Sequence, residues 1–130
     1  MLLGFDPGKD KCGIAIMSQD GQIITHQIIA SQEVLSKIEQ LIARYQVNLV
    51  VIGNQTTSEI WQKKLQSHIS IPIQPIDEHS STLEARDLYW KMYPARGLQS
   101  LIPQGMRLPP RAIDDLVAII LLKRYLKVKN

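Results

Sequence analysis

The chain has 130 residues, a net charge of +3 and 45% hydrophobic residues, enough for one globular domain around a single core. No apolar run reaches the roughly 18 residues of a membrane helix, no basic region precedes an apolar one as a secretion signal requires, and the lone Cys12 excludes an internal disulfide or a cysteine-based zinc site. These properties predict one domain over residues 1–130, cytoplasmic and without a membrane partner.

Leu2–Asp6 reads as a short buried strand that ends in Gly4-Phe5-Asp6-Pro7-Gly8. Asp6 stands between glycines, where backbone can approach a ligand closely, and Pro7 cannot easily prolong a central strand. Two readings stand: an ordinary strand-to-turn transition, or an acid held on a central strand to bind a metal ion or face a phosphate. Residues 12–18 and 22–30 are β-rich, and Asp20-Gly21 between them is a hairpin signal. Over 31–46 the period becomes helical, with Val34, Leu35, Ile38, Leu41, Ile42 and Tyr45 on one stripe. The continuous apolar run over 48–53 predicts a strand covered on both faces.

Thr56-Thr57-Ser58-Glu59 has capping-box spacing and predicts a helix to about Ser67. Residues 69–76 form another buried strand, whose Pro72 and Pro75 suit a sheet edge. Ser81-Thr82-Leu83-Glu84 repeats the capping box and opens a helix to about Met92. Residues 93–110 are irregular and rich in Pro, Gly and Arg; Pro109-Pro110 then precedes a final helix over 111–127, strongly apolar through 116–122. The order predicts an α/β fold: a hairpin extended by parallel strands into a mixed five-stranded sheet, with helices on both faces.

Charge is uneven, −2 over the first sixty residues and +5 over the rest. Lys91, Arg96, Arg107 and Arg111 lie in an acid-free stretch that begins beside Tyr89, Trp90 and Tyr93. Cations meet phosphates and rings stack on bases, so this mixture suits a nucleic-acid surface; a solvated basic loop has the same composition. Two acidic pairs join Asp6: Asp77-Glu78 after the last strand and Asp114-Asp115 in the first turn of the last helix. Each pair alone also suits a helix start, where acids complement the macrodipole. Together they point to the carboxyl ends of the parallel strands, where ligands bind in such sheets. Acids converging there repel unless cations neutralise them, which magnesium or manganese does through a few carboxylates plus phosphate oxygens.

Gly4-Phe5-Asp6-Pro7-Gly8, Asp77-Glu78-His79-Ser80-Ser81-Thr82 with Ala85, and Ile113-Asp114 before Ala118-Ile119-Ile120-Leu121-Leu122 resemble the motifs of the YqgF family, also called RuvX. The three motifs occur in order over nearly the whole chain. The resemblance implies an RNase H-like fold and a magnesium- or manganese-dependent nuclease with Asp6, Glu78 and Asp114 as catalytic, metal-holding acids. Asp115 is an extra acid that joins them at the metal or caps the helix. Lys91, Arg96, Arg107 and Arg111 are the candidates for nucleic-acid contact. Family members are associated with maturation of the small-subunit ribosomal RNA precursor and, by analogy to RuvC, with junction cleavage. The expected substrate is therefore structured RNA, the 5′ end of pre-16S rRNA, with a four-way DNA junction as the alternative. The expected unit is a monomer or weak dimer.

Several positions depart from the family pattern. His79 stands where the family commonly has Arg, Cys12 where a basic residue is common, and Gly53-Asn54-Gln55-Thr56-Thr57-Ser58 where a Gly/Pro-rich segment is frequent. That polar loop offers amides to a phosphate, or simply caps a helix. RuvC-like resolvases carry their glutamate at the end of the fourth strand, where Gly53-Asn54 occurs here. Glu78 comes one strand later, about 4.8 Å further from Asp6, a gap its longer side chain has to recover. Two other classes compete: an RNA-binding module without turnover, which His79 favours, and a nucleotide-dependent phosphotransferase, which lacks here a second domain to close over ATP.

Overall fold

The hairpin forms where Asp20-Gly21 predicts it. Ser18 N–H donates to the Gln22 carbonyl at 2.9 Å, and Gly21 turns the chain with φ +91°. The computed structural model describes residues 1–55 and 57–129, and in it this hairpin is one flank of a five-stranded mixed sheet. Its strands are β1 (Leu2–Asp6), β2 (Lys11–Met17), β3 (Ile23–Ala30), β4 (Leu49–Gly53) and β5 (Ile73–Ile76), in the order β3-β2-β1-β4-β5. β1 pairs antiparallel with β2 and parallel with β4, so Asp6 ends the central strand. The helices are α1 (Val34–Tyr45), α2 (Ser58–Gln66), α3 (Ser81–Met92) and α4 (Asp114–Lys129).

Strand alternation divides the core in two. Leu2, Ala15, Met17 and Val51 face α3 and α4, while Leu3, Phe5, Ile14, Ile16, Val50 and Ile52 face α1 and α2. Phe5 meets Trp61 of α2 edge to face, with centroids 5.3 Å apart. Every residue of α4 from Asp115 to Leu122 is buried, as an all-round apolar helix requires, because it packs on β1, β2 and α3 together. Among the described residues no helix is long and apolar enough to cross a membrane.

Some boundaries differ from expectation, each for a local reason. α1 starts at Val34 rather than at 31, because Ser31 is pinned to the turn after β1: its N–H donates to the Asp10 carbonyl and its Oγ to the Gly8 carbonyl. β5 begins only at Ile73 and is half-buried, an edge strand as its prolines predicted. Ile69 and Ile71 instead pack into the core beside α1 and α2. The capping box at Thr56 falls outside the described residues. The second box is not formed: Ser80 rather than Ser81 is the N-cap, at φ +60°, and Glu84 pairs with Arg124 at 2.9 Å. α4 starts at Asp114 and runs to Lys129, and residues 93–110 contain two 3₁₀ turns, Gly97–Leu101 and Gln104–Met106.

Candidate active site

The first turn of α4 reaches the sheet over Gly13, which pairs with Asp6 across β1 and β2. A Cβ at Gly13 would lie 1.8 Å from the Asp114 carbonyl oxygen, so only glycine allows this approach. Asp6 and Asp114 thereby line one cleft. Glu78 arrives from the turn between β5 and α3, and its carboxylate lies over Gly53, the last residue of β4. A side chain at 53 would come within 2.6 Å of that carboxylate. The missing side chain at the end of the fourth strand and the glutamate one strand later are therefore complementary: Glu78 fills the space that Gly53 leaves. Its Oε1 accepts the Gln55 N–H at 2.7 Å, which fixes its direction.

Asp6, Glu78 and Asp114 share a cleft of about 580 Å³, also lined by Asn54, Gln55 and residues 79–83 at the start of α3. Burial pushes the Asp6 carboxyl up to about 7, and the charges of Asp114 and Glu78 add to the rise. Glu78 is also raised, mainly by burial; the Gln55 N–H opposes this, Asp77 adds to it and Arg124 opposes it. Asp6 with two further carboxylates near enough to raise it is a donor set of hard oxygens, suited to magnesium or manganese. Among the described residues no three His, Cys, Asp or Glu side chains stand together so as to hold a metal ion by themselves. Magnesium is usually held by one or two carboxylates and takes its remaining ligands from water and substrate phosphate, so its binding does not depend on three protein ligands.

Asp115 does not join them. One residue further along the helix, it turns by about 100° and is 3% exposed, with His26 Nδ1 of β3 donating to it at 2.6 Å and Arg111 Nη1 at 3.0 Å. Burial alone would raise its pKa, but Arg111 and His26 outweigh burial and lower it.

The four expected nucleic-acid contacts also separate. Arg107 Nε donates to the Ile102 carbonyl at 2.7 Å, and its guanidinium lies over the Trp90 ring. Arg111 holds Asp115 and sits against Tyr89 and Tyr93. Lys91 and Arg96 are exposed and form no ion pair among the described residues. Cys12 is a buried packing residue, with its sulfur 3.4 Å from both Gly8 N and Ser31 Oγ. The Gln55 amide serves Glu78.

Sequence reasoning missed Arg124. From α4 its guanidinium donates to the carbonyls of Asp77 at 2.8 Å and His79 at 2.6 Å and to Glu84, bracing from behind the turn that carries Glu78. The only trace in the sequence is a cation closing the apolar run of α4, which has the same look as a solvated helix end.

A family model described as "RuvX: Holliday junction resolvase" matches residues 1–128. Two proteins from Coxiella burnetii, of strains Dugway 5J108-111 and CbuG_Q212, both named "Putative pre-16S rRNA nuclease", are 27% identical over 98% of this chain and 92% of their own. Among solved structures, RuvC of Thermus thermophilus superposes with a TM-score of 0.56 over 98% of this chain and 94% of its own. At 8% identity that likeness shows the fold alone, the RNase H-like arrangement expected above.

Proposed function

We propose, given that the chain belongs to the RuvX family of Holliday junction resolvases, that it is a metal-dependent nuclease whose substrate is structured RNA, specifically the 5′ end of pre-16S rRNA. The observation that carries the reading is the meeting of Asp6, Glu78 and Asp114 in one open cleft, where burial first, and then the charges of Asp114 and Glu78, push the Asp6 carboxyl up to about 7. Asp6 and Asp114 hold the ion. Glu78, its carboxylate aimed by the Gln55 N–H, completes the shell or orients the attacking water. Magnesium or manganese bound there supplies a more acidic water and charge stabilisation on the phosphate. Arg124 keeps the Asp77–His79 backbone in place, so Glu78 acts from a rigid turn.

The names of the Coxiella relatives support an rRNA precursor as substrate, and such a substrate would place the protein's work in the cytoplasm. A second reading, cleavage of four-way DNA junctions, has the family description in its favour. Two symmetric cuts normally need two sites in a symmetric dimer; we take a single chain, with its acidic cleft, as the working unit. Both substrates are offered at equal concentration with manganese, using Asp114→Asn as the inactive control. Cleavage of single-stranded extensions on the precursor with little junction nicking is the expected result. Paired symmetric nicking with the RNA intact makes it a resolvase, and no metal-dependent cleavage of either substrate overturns the enzymatic reading.

A further inference from the structure

The acid beside Asp114 has a different set of partners. Asp115 is 3% exposed, and both its oxygens are engaged: Oδ2 accepts from His26 Nδ1 at 2.6 Å and Arg111 Nη2 at 3.4 Å, and Oδ1 accepts from Arg111 Nη1 at 3.0 Å. His26 belongs to β3, two strands away from Asp6, and Arg111 lies in the segment leading into α4. Arg111 also donates to the Ala112 carbonyl at 2.6 Å and lies against Tyr89 and Tyr93 of the α3 end. One buried carboxylate thus ties β3, the segment before α4 and the aromatic end of α3 to the first turn of α4. Asp114 is the residue immediately before it, with its carbonyl seated over Gly13.

We infer that Asp115, acting through His26 and Arg111, is a positioning residue that fixes the first turn of α4 and so aims Asp114 at the cleft it shares with Asp6. A surface ion pair would give little orientation, because long exposed side chains lose it to entropy and solvent. A buried carboxylate with three N–H donors gives far more, since shifting the helix start leaves a charge unpaired in the core. Outer partners of this kind tune metal sites without touching the metal.

The inference rests on the cleft being the metal site, and the experiment separates the two. Manganese binding is measured by titration calorimetry on wild type, Asp114→Asn, Asp115→Asn, His26→Ala and His26→Asn, with RNA cleavage followed in parallel. The Asn amide can donate from nearly the position of imidazole Nδ1. His26→Ala and Asp115→Asn should each weaken manganese binding about tenfold and lower kcat more than KM. His26→Asn should recover most of the loss, and the double variant of Asp115→Asn with His26→Ala should be little worse than either alone. Retained manganese binding in both single variants, with Asp114→Asn defective, overturns the inference and leaves the site standing. Complete loss of binding in Asp115→Asn with His26→Ala unaffected also overturns it, since Asp115 would then be a ligand. Wild-type binding in Asp114→Asn rejects the site itself. Should Asp115→Asn fail to fold, the His26 pair decides the matter: the helix tether is then judged by loss in Ala and recovery in Asn.

Discussion

Asp6 carries the clearest electrostatic signature in the molecule. Its carboxyl stands at about 7 against an ordinary 3.8, raised first by burial and then by Asp114 and Glu78. Between those values the folded protein keeps a proton that the unfolded chain has lost. Metal-free stability therefore falls as pH rises through that window, and the full penalty is present above about 7. In EDTA the wild-type melting temperature should drop from about pH 5 to about pH 8 more steeply than that of Asp6→Asn. At about pH 8 the variant should equal or exceed wild type, because a repelling charge is gone. Manganese should raise the wild-type melting temperature at the higher pH and leave the variant unmoved, since only a native-state site gains by mass action. The increment should shrink below about 7, where a proton competes with the ion for Asp6. Parallel melting profiles for the two proteins would mean that Asp6 ionises as an ordinary surface aspartate.

The strands and helices bring these side chains together by approaches only glycine allows, and the two key glycines differ in what they face. A methyl at Gly13 meets the backbone of Asp114 at 1.8 Å, so the start of α4 has to move. Gly13→Ala should lose about 1–3 kcal/mol of stability, read by urea unfolding, and its cleavage activity with it. The atoms nearest a methyl at Gly53 are the end of the Glu78 side chain, which can swing away. Gly53→Ala should fold nearly normally yet lose about a hundredfold in kcat, since a displacement near 1 Å suffices for that. Equal stability losses in the two variants would contradict this distinction. The elements themselves were legible because their signals are local: the stripe of α1, the Asp20-Gly21 turn and the unbroken apolar run of β4 each need only neighbouring residues. The meeting of Asp6, Glu78 and Asp114 was legible through the topology rule for strand ends and the family motifs. What stayed hidden depends on packing. Asp114 and Asp115 are chemically identical, and only the rotation of α4 against β2 and β3 decides which one faces the cleft. The unformed box at Ser81 is of the same kind, because Arg124 from a distant helix takes the glutamate the box needs.

Nucleic-acid binding by the whole protein depends on which cations remain available to phosphate, and composition counts all four alike. Arg107 and Arg111 are engaged internally, one with the Ile102 carbonyl and Trp90, the other with Asp115 and two tyrosines. Lys91 and Arg96 are exposed. Each phosphate contact on a single strand contributes about 0.7 to the slope of log affinity against log salt. Replacing Lys91 and Arg96 together with Ala should therefore lower that slope by about 1.4 and weaken binding to all RNA sequences alike. Arg107→Ala should act differently. It removes a hydrogen bond to the Ile102 carbonyl and a cation–π contact of about 0.5–1 kcal/mol, so the melting temperature should fall while the salt slope changes little. Filter binding across a salt series, with a thermal melt of each variant, checks both halves. A slope lost with Arg107 and retained without Lys91 and Arg96 would reverse the assignment, making the arginine stacked on Trp90 the phosphate contact and the two exposed cations ordinary solvated surface.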